Sequence, residues 1–130
     1  MVPLVDTNVL SELARVRPNA GVVEWASRVE RIALSVVTVE EIECGLAWRP
    51  NERLEAWFAT FLEACAVLDV TAPVARLAGR LRGDLRRRGL VRTQADLLIA
   101  ATALIHGLPL VTRNERDFAG LGVAVLNPFR

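Results

Sequence analysis

Four acids stand where helices are expected to begin: Asp6 in Val5-Asp6-Thr7-Asn8, Glu41 in Thr38-Val39-Glu40-Glu41, Asp96 in Gln94-Ala95-Asp96, and Asp117 in Thr112-Arg113-Asn114-Glu115-Arg116-Asp117. In an α/β sheet the strands deliver their following helices to one carboxyl edge, so acids placed just after strands or in first helical turns can meet in one crevice. Carboxylates gathered there force one another to take up protons unless a cation shares the space. The cation that such a donor set suits is a hard divalent metal.

Each acid also has a purely structural account. Thr38-x-x-Glu41 and Thr93-x-x-Asp96 both fit the capping box, in which the acid three residues on bonds back to the cap residue's N–H. Asp6 fits a cap or turn acid equally well, and Asp117 a solvated turn acid. Capping does not explain why Asp6 closes an apolar strand while Asp96 heads the most apolar helix of the chain, where an unsatisfied carboxylate is costly. The joint pattern therefore favours a site.

The elements that must position these acids follow from periodicity and punctuation. Val2 to Val5 reads as a short strand, and Asp6-Thr7-Asn8 caps a helix through about Val16, which Pro18-Asn19 breaks. An amphipathic helix spans Val22 to Val29, Ile32 to Val37 reads as a buried strand, and Thr38 starts the next helix. After Pro50-Asn51, Leu54, Trp57, Phe58, Phe61 and Leu62 lie on one helix face. Ala66 to Val70 is a strand, a helix runs from Thr71 to near Gly89, and Thr93 opens a helix whose body, Leu97 to Ile105, is apolar on every side and closes at Gly107. Pro109 to Val111 and Val123 to Leu126 complete the strands, with a helical turn near Glu115 to Phe118. Alternating strands and helices imply an α/β fold with a mostly parallel central sheet flanked by helices on both faces.

At 130 residues the chain fits one domain, 1–130, with enough apolar sequence for a single core. No apolar run approaches the roughly 20 residues of a membrane span, so a cytoplasmic protein is expected. A net charge of +1 argues against holding nucleic acid by charge over the whole surface, so any polyanion site is local. Every basic side chain is Arg, which excludes mechanisms that need a lysine. Cys44 and Cys65 lack metal-type spacing and read as buried thiols. His106, the single histidine, reads as structural, which leaves Ser-His-Asp and Cys-His chemistry without a base near the acids. Trp25, Trp48 and Trp57 read as core or interface anchors, and the Trp57/Phe58/Phe61 face as a groove that can take a partner helix.

Four motifs in order, Leu4-Val5-Asp6-Thr7-Asn8-Val9, Ser35-Val36-Val37-Thr38-Val39-Glu40-Glu41-Ile42, Ala95-Asp96-Leu97-Leu98-Ile99-Ala100-Ala101-Thr102-Ala103 and Leu110-Val111-Thr112-Arg113-Asn114-Glu115-Arg116-Asp117-Phe118, carry a resemblance over nearly the whole chain. It resembles PIN-domain endoribonucleases of the VapC/FitB type, the toxin halves of toxin–antitoxin pairs. Leu126-Asn127-Pro128-Phe129 is similar to the FitB-like end.

The resemblance implies a PIN-like fold and Mg²⁺- or Mn²⁺-dependent hydrolysis of RNA phosphodiester bonds in tRNA, rRNA or mRNA, which would inhibit translation. It implies that Asp6 and Asp96 bind the metal and that Glu41 completes the set, directly or through water. Asp117 is the nearest acid to replace the Asp that many PIN domains carry where this chain has Asn114, so one tightly held ion, with a second recruited with RNA, is expected. Thr7, Asn8 and Thr112 would orient the ligands or contact phosphate, with capping as their alternative role. Arg113 and Arg116 would meet RNA phosphate, whereas Arg82, Arg86, Arg87 and Arg88 fit a solvated helix end slightly better than an RNA or antitoxin track. Implied partners are RNA, a VapB/FitA-like antitoxin covering the acidic pocket, and a second copy of the chain in a homodimer and a higher toxin–antitoxin complex.

Two rivals belong to other classes. A Mg-dependent phosphatase-like or phospho-receiver domain also places Asp after the first strand, but both normally use a Lys and the former expects Asp where Asn8 stands. A degenerate PIN domain would bind RNA or protein without cutting. The combination of Asp6, Glu41 and Asp96 favours the nuclease.

Overall fold

A computed structural model describes residues 2–130. Its elements are β1 (Leu4–Val5), α1 (Thr7–Leu13), α2 (Ala20–Ser27), β2 (Ala33–Ser35), α3 (Val36–Trp48), α4 (Glu52–Glu63), β3 (Ala66–Leu68), α5 (Ala72–Arg87), α6 (Gln94–His106), β4 (Leu110–Val111), α7 (Glu115–Phe118) and β5 (Val125–Leu126). The strands form one sheet in the order β3-β2-β1-β4-β5, and every pairing is parallel. The chain therefore builds outward from β1 to β3, then returns to lay β4 along the other side of β1. That reversal between β1 and β4 is the switch point at which open α/β sheets form a crevice beyond their strand ends.

Successive strand residues face opposite sides of a sheet. Leu4, Ala33 and Leu110 accordingly pack with Val74, Ala78 and Leu85 of α5, Leu97, Ala100 and Ala101 of α6, and Phe118 of α7. Val5, Leu34 and Val111 turn the other way, onto Val9 and Leu10 of α1, Val22 and Trp25 of α2, Ile42 of α3 and Phe58 of α4. Both faces of the sheet are thus covered, as the alternation of strands and helices implies. Among the described residues no helix is long and apolar enough to cross a membrane.

Several element ends differ from the sequence reading. Helix α1 stops at Leu13 rather than Val16, because Glu12 is buried and its carboxylate accepts the Asn19 N–H (2.8 Å), turning the chain early into α2. The second strand ends at Ser35, and it is Ser35, not Thr38, that caps α3, its hydroxyl accepting the Val37 N–H (3.0 Å). Val36 and Val37 are β-branched and read as strand, yet they form a first helical turn, where the cap and packing outweigh their propensity. The shift places Glu41 in the second turn of α3, so the capping-box account of this acid fails.

Helix α6 is buried through Leu97, Ile99 to Ala103, and ends at Gly107 in the left-handed region (φ 65°). It is not buried on every side: Ile105 and His106 emerge in its last turn, so His106 is not a core histidine. Cys44 is exposed rather than buried, because α3 turns that face to solvent. Cys65 lies just past α4, half-buried, and burial pushes its thiol up to about 11. Trp25 anchors the core, Trp57 stacks on Phe61, and Trp48 stands exposed with the Arg49 guanidinium over its ring.

Candidate active site

Asp6 occupies the last rung of the β1 ladder. Its N–H still donates to Val111 O (2.9 Å), while its side chain already caps α1. One carboxylate oxygen accepts the Thr7 N–H (2.8 Å); the other accepts the Thr112 hydroxyl (2.8 Å) and Asn8 Nδ2 (3.2 Å). Thr112, fully buried just past β4, in turn accepts Asn8 Nδ2 (3.3 Å) and the Asn114 N–H (3.0 Å), so its one donor and two acceptor sites are all used. Asn8 Oδ1 accepts the Arg113 N–H (3.1 Å). These bonds stitch the end of β1 to the end of β4 across the switch point.

Glu41 reaches the same place from α3. Its Oε1 accepts the Thr7 hydroxyl (2.7 Å), which also lies 3.2 Å from the hydroxyl of buried Thr38. Thr38 stands one turn before Glu41 on the same helix face, so it holds Thr7 rather than capping α3. The sequence signal that could have revealed this is the i, i+3 spacing of Thr38 and Glu41 on an otherwise apolar helix face.

Asp96 enters from α6, where Thr93 caps the helix by accepting the Asp96 N–H (3.1 Å). Asp117 lies in the short α7 that follows Thr112. Burial pushes the Asp96 carboxyl above its ordinary 3.8, and the charges of Asp6 and Asp117 push it further, against lowering by the Thr93 side chain and Arg92. Burial likewise raises Asp6, with Glu41 adding to the rise, while the bonds from Thr112, Thr7 and Asn8 oppose it. The four acids thus feel one another's charge in sequence: Glu41 on Asp6, Asp6 on Asp96, Asp117 on Asp96.

Among the described residues no three acid, histidine or cysteine side chains lie close enough to hold a metal directly. The acids are therefore not a closed cage. That suits Mg²⁺ or Mn²⁺: both are oxygen-seeking, and Mg²⁺ keeps several waters and takes only one or two carboxylates. The raised carboxyls, which repel one another, are the groups whose charged forms a cation would relieve.

A pH dependence follows. The folded-state values of Asp6 and Asp96 lie above 3.8, so the folded metal-free chain binds their protons more tightly than the unfolded chain. Their contribution to stability is then full below 3.8 and lost as pH rises through the folded values. A divalent ion bound between them would restore what the ionised pair loses. The Tm gained on adding Mn²⁺ is expected to be largest near neutral pH and to fade on acidification before the ordinary carboxylate range is reached. Thermal unfolding from pH 4 to 8, with and without Mn²⁺, checks this; a gain independent of pH contradicts it.

Of the remaining residues, Asn114 stands at the cap of α7 without capping it through its side chain. Arg113 and Arg116 are both exposed, but the Arg113 guanidinium lies over the Phe129 ring, 4.8 Å from its centroid. The cation set against Asp96 is instead Arg92, which sequence reasoning passed over because it falls in the loop before α6. Its Nη2 reaches Arg116 O (3.5 Å), and its Nε is buried without a partner among the described residues. Arg82, Arg86, Arg87 and Arg88 lie exposed at the end of α5, with Arg87 paired to Asp84. This is the solvated, macrodipole-favoured arrangement.

The chain is similar to known proteins over nearly its whole length. The PIN domain model matches residues 4–123. Toxin FitB of Neisseria gonorrhoeae is 38% identical over 97% of either chain, and VapC ribonuclease Y4jK of Sinorhizobium fredii is 34% identical over 97% of this chain and 96% of that one. A solved toxin–antitoxin complex from Klebsiella pneumoniae superposes with a TM-score of 0.79 at 26% identity, covering 98% of each chain.

Proposed function

The chain belongs to the PIN domain family, and on that premise we propose that it is a metal-dependent endoribonuclease, the toxin half of a toxin–antitoxin pair, working in the cytoplasm as a single domain over 1–130. The observation that carries this reading is that Thr7 bonds both Asp6 and Glu41 at the sheet's switch point, while the charges of Asp6 and Asp117 help raise the Asp96 carboxyl beside them. The similarity to a VapC ribonuclease and to FitB supports the activity, and that to a toxin–antitoxin complex supports a VapB/FitA-like antitoxin as partner. The chain would act as a homodimer within a larger complex with that antitoxin.

Asp6 and Asp96 would hold Mg²⁺ or Mn²⁺, with Glu41 joining directly or through water and Asp117 standing in for the acid that Asn114 replaces. A divalent ion bound there lowers the pKa of an attacking water and takes up charge that develops on the phosphate. Thr112, Asn8 and the Thr7 N–H fix the Asp6 carboxylate, leaving it no freedom to turn away. Thr7 does the same for Glu41. Glu41 or Asp117 orients the water and accepts its proton at a carboxylate oxygen. Arg113 and Arg116 engage RNA phosphates, where the planar guanidinium offers paired donors.

Antitoxin-free protein incubated with total cellular RNA, with Mg²⁺, Mn²⁺ or EDTA and with Asp6→Asn as control, tests the proposal once the new ends are sequenced. Discrete cuts that need both metal and Asp6 are expected. No cleavage with metal still bound by calorimetry would point to a narrow substrate missing from that RNA, whereas no metal binding would identify a degenerate binding module.

A further inference from the structure

The segment after β5 does not simply trail off. Asn127 donates from Nδ2 to Glu115 Oε2 (3.2 Å) and accepts the Phe129 N–H at Oδ1 (3.0 Å), a local turn that aims the Phe129 ring. Pro128 is buried. Arg130 is gripped at both backbone groups by the Asn19 side chain, its N–H to Oδ1 (3.2 Å) and its C=O from Nδ2 (2.8 Å), and its guanidinium pairs with Glu24. The grip is tight: a Cβ on Gly21 would lie 2.4 Å from Pro128 O and 2.6 Å from Arg130 Cγ, so only glycine lets α2 approach this segment.

This strap links two ends of the molecule that the site depends on. At one end Asn19 is held by buried Glu12 of α1, the helix that Asp6 opens. At the other, Glu115 and Arg113 flank Asn114 just after Thr112, whose hydroxyl bonds Asp6. The Arg113 backbone is fixed by Asn8, and its side chain rests on the Phe129 ring. Among the described residues Arg113 has no carboxylate within ion-pair distance.

The Arg113 guanidinium thus rests on an aromatic face and not on a carboxylate. An ion pair would occupy the guanidinium's N–H groups, whereas a ring beneath its plane fixes the orientation and leaves all five donors free at the edge. A phosphate diester meets that edge. We infer that Phe129, held by the strap Asn127–Arg130, is a positioning residue that presents Arg113 to an RNA phosphate. The inference rests on the ribonuclease reading and adds the residue that sets the phosphate contact.

The test is a double-mutant cycle on an RNA oligonucleotide carrying a cleavage site mapped from total RNA. Arg113→Gln should raise KM about 10-fold with kcat little changed, as loss of a charge-assisted phosphate contact does. Phe129→Leu, which keeps apolar bulk but not the π face, should raise KM about 3- to 10-fold. The double variant should be no worse than Arg113→Gln alone, and Phe129→Trp should retain the parent KM. Independent, multiplying effects, or a parent-like KM for Phe129→Leu, would overturn the inference. Should Phe129→Leu fail to fold, the parent's NMR spectrum decides, because Arg113 side-chain protons under the ring must show an upfield ring-current shift and their absence overturns it. A parent that cleaves no RNA would sink both readings; a cleaving parent matched by Phe129→Leu would sink this one alone.

Discussion

Asp96→Asn is expected to leave the fold intact and to lower RNA cleavage at least about 100-fold, the upper end of what losing even an outer partner of a metal ligand costs. The fold survives because Thr93 caps α6 through the Asp96 backbone N–H, which the substitution keeps. The charged carboxyl is, moreover, a burden to the metal-free protein: burial, Asp6 and Asp117 all push its proton affinity up. Removing that charge should leave Tm unchanged or higher at neutral pH, even though an acid in a first helical turn ordinarily gains about 0.3–1 kcal/mol from the macrodipole. The raised carboxyl already reflects the balance of these effects, and it falls against the anion. Calorimetry with Mn²⁺ and thermal unfolding, run on one preparation, separate the two outcomes. A variant that binds metal and cleaves like the parent would remove Asp96 from the site; one that fails to fold would make it a structural acid.

How much of this was legible in the sequence depends on whether a residue acts locally or across the sheet. Gly107, Thr93 and the turn Glu115–Phe118 were readable because caps and turns are set by neighbours in the chain. The parallel sheet was readable from the alternation of elements. The second strand was overread, since Val36 and Val37 carry strand propensity while the decision lay with Ser35 and with burial of the helix they begin. The exposure of Cys44 and His106 is not legible for a related reason: periodicity identifies an apolar face but not whether another element arrives to cover it. For the candidate site, the four acids could be picked out singly. Thr38 is legible only as the i, i+3 neighbour of Glu41, since its hold on Thr7 crosses 31 positions, and Arg92 could not be picked out at all, because it acts only through Asp96 and α7. The bond from Thr112 to Asp6 spans 106 positions and exists only because β4 returns to the side of β1.

Thr112→Val puts that bond to the test while leaving every charge in place. The two side chains share a shape, and the position is fully buried, so the change creates no cavity. It removes the donor to Asp6 (2.8 Å) and the acceptor for Asn8 Nδ2 (3.3 Å) and the Asn114 N–H (3.0 Å). Leaving such groups unpaired costs about 1–3 kcal/mol, and the extra buried methyl regains only part of it. The functional loss should be larger. Asp6 keeps the Thr7 N–H and Asn8 but is no longer fixed from β4, and its carboxyl, relieved of a bond that lowered it, moves further up. Metal affinity and cleavage should each fall about 10- to 100-fold. Thr112→Ser, which keeps the hydroxyl, should recover most of both. The pair of variants distinguishes orientation from charge: if Thr112→Val binds Mn²⁺ and cleaves RNA like the parent, four acids at a switch point suffice. If it fails while remaining folded, the catalytic geometry is set by the hydroxyl that reaches across from the neighbouring strand.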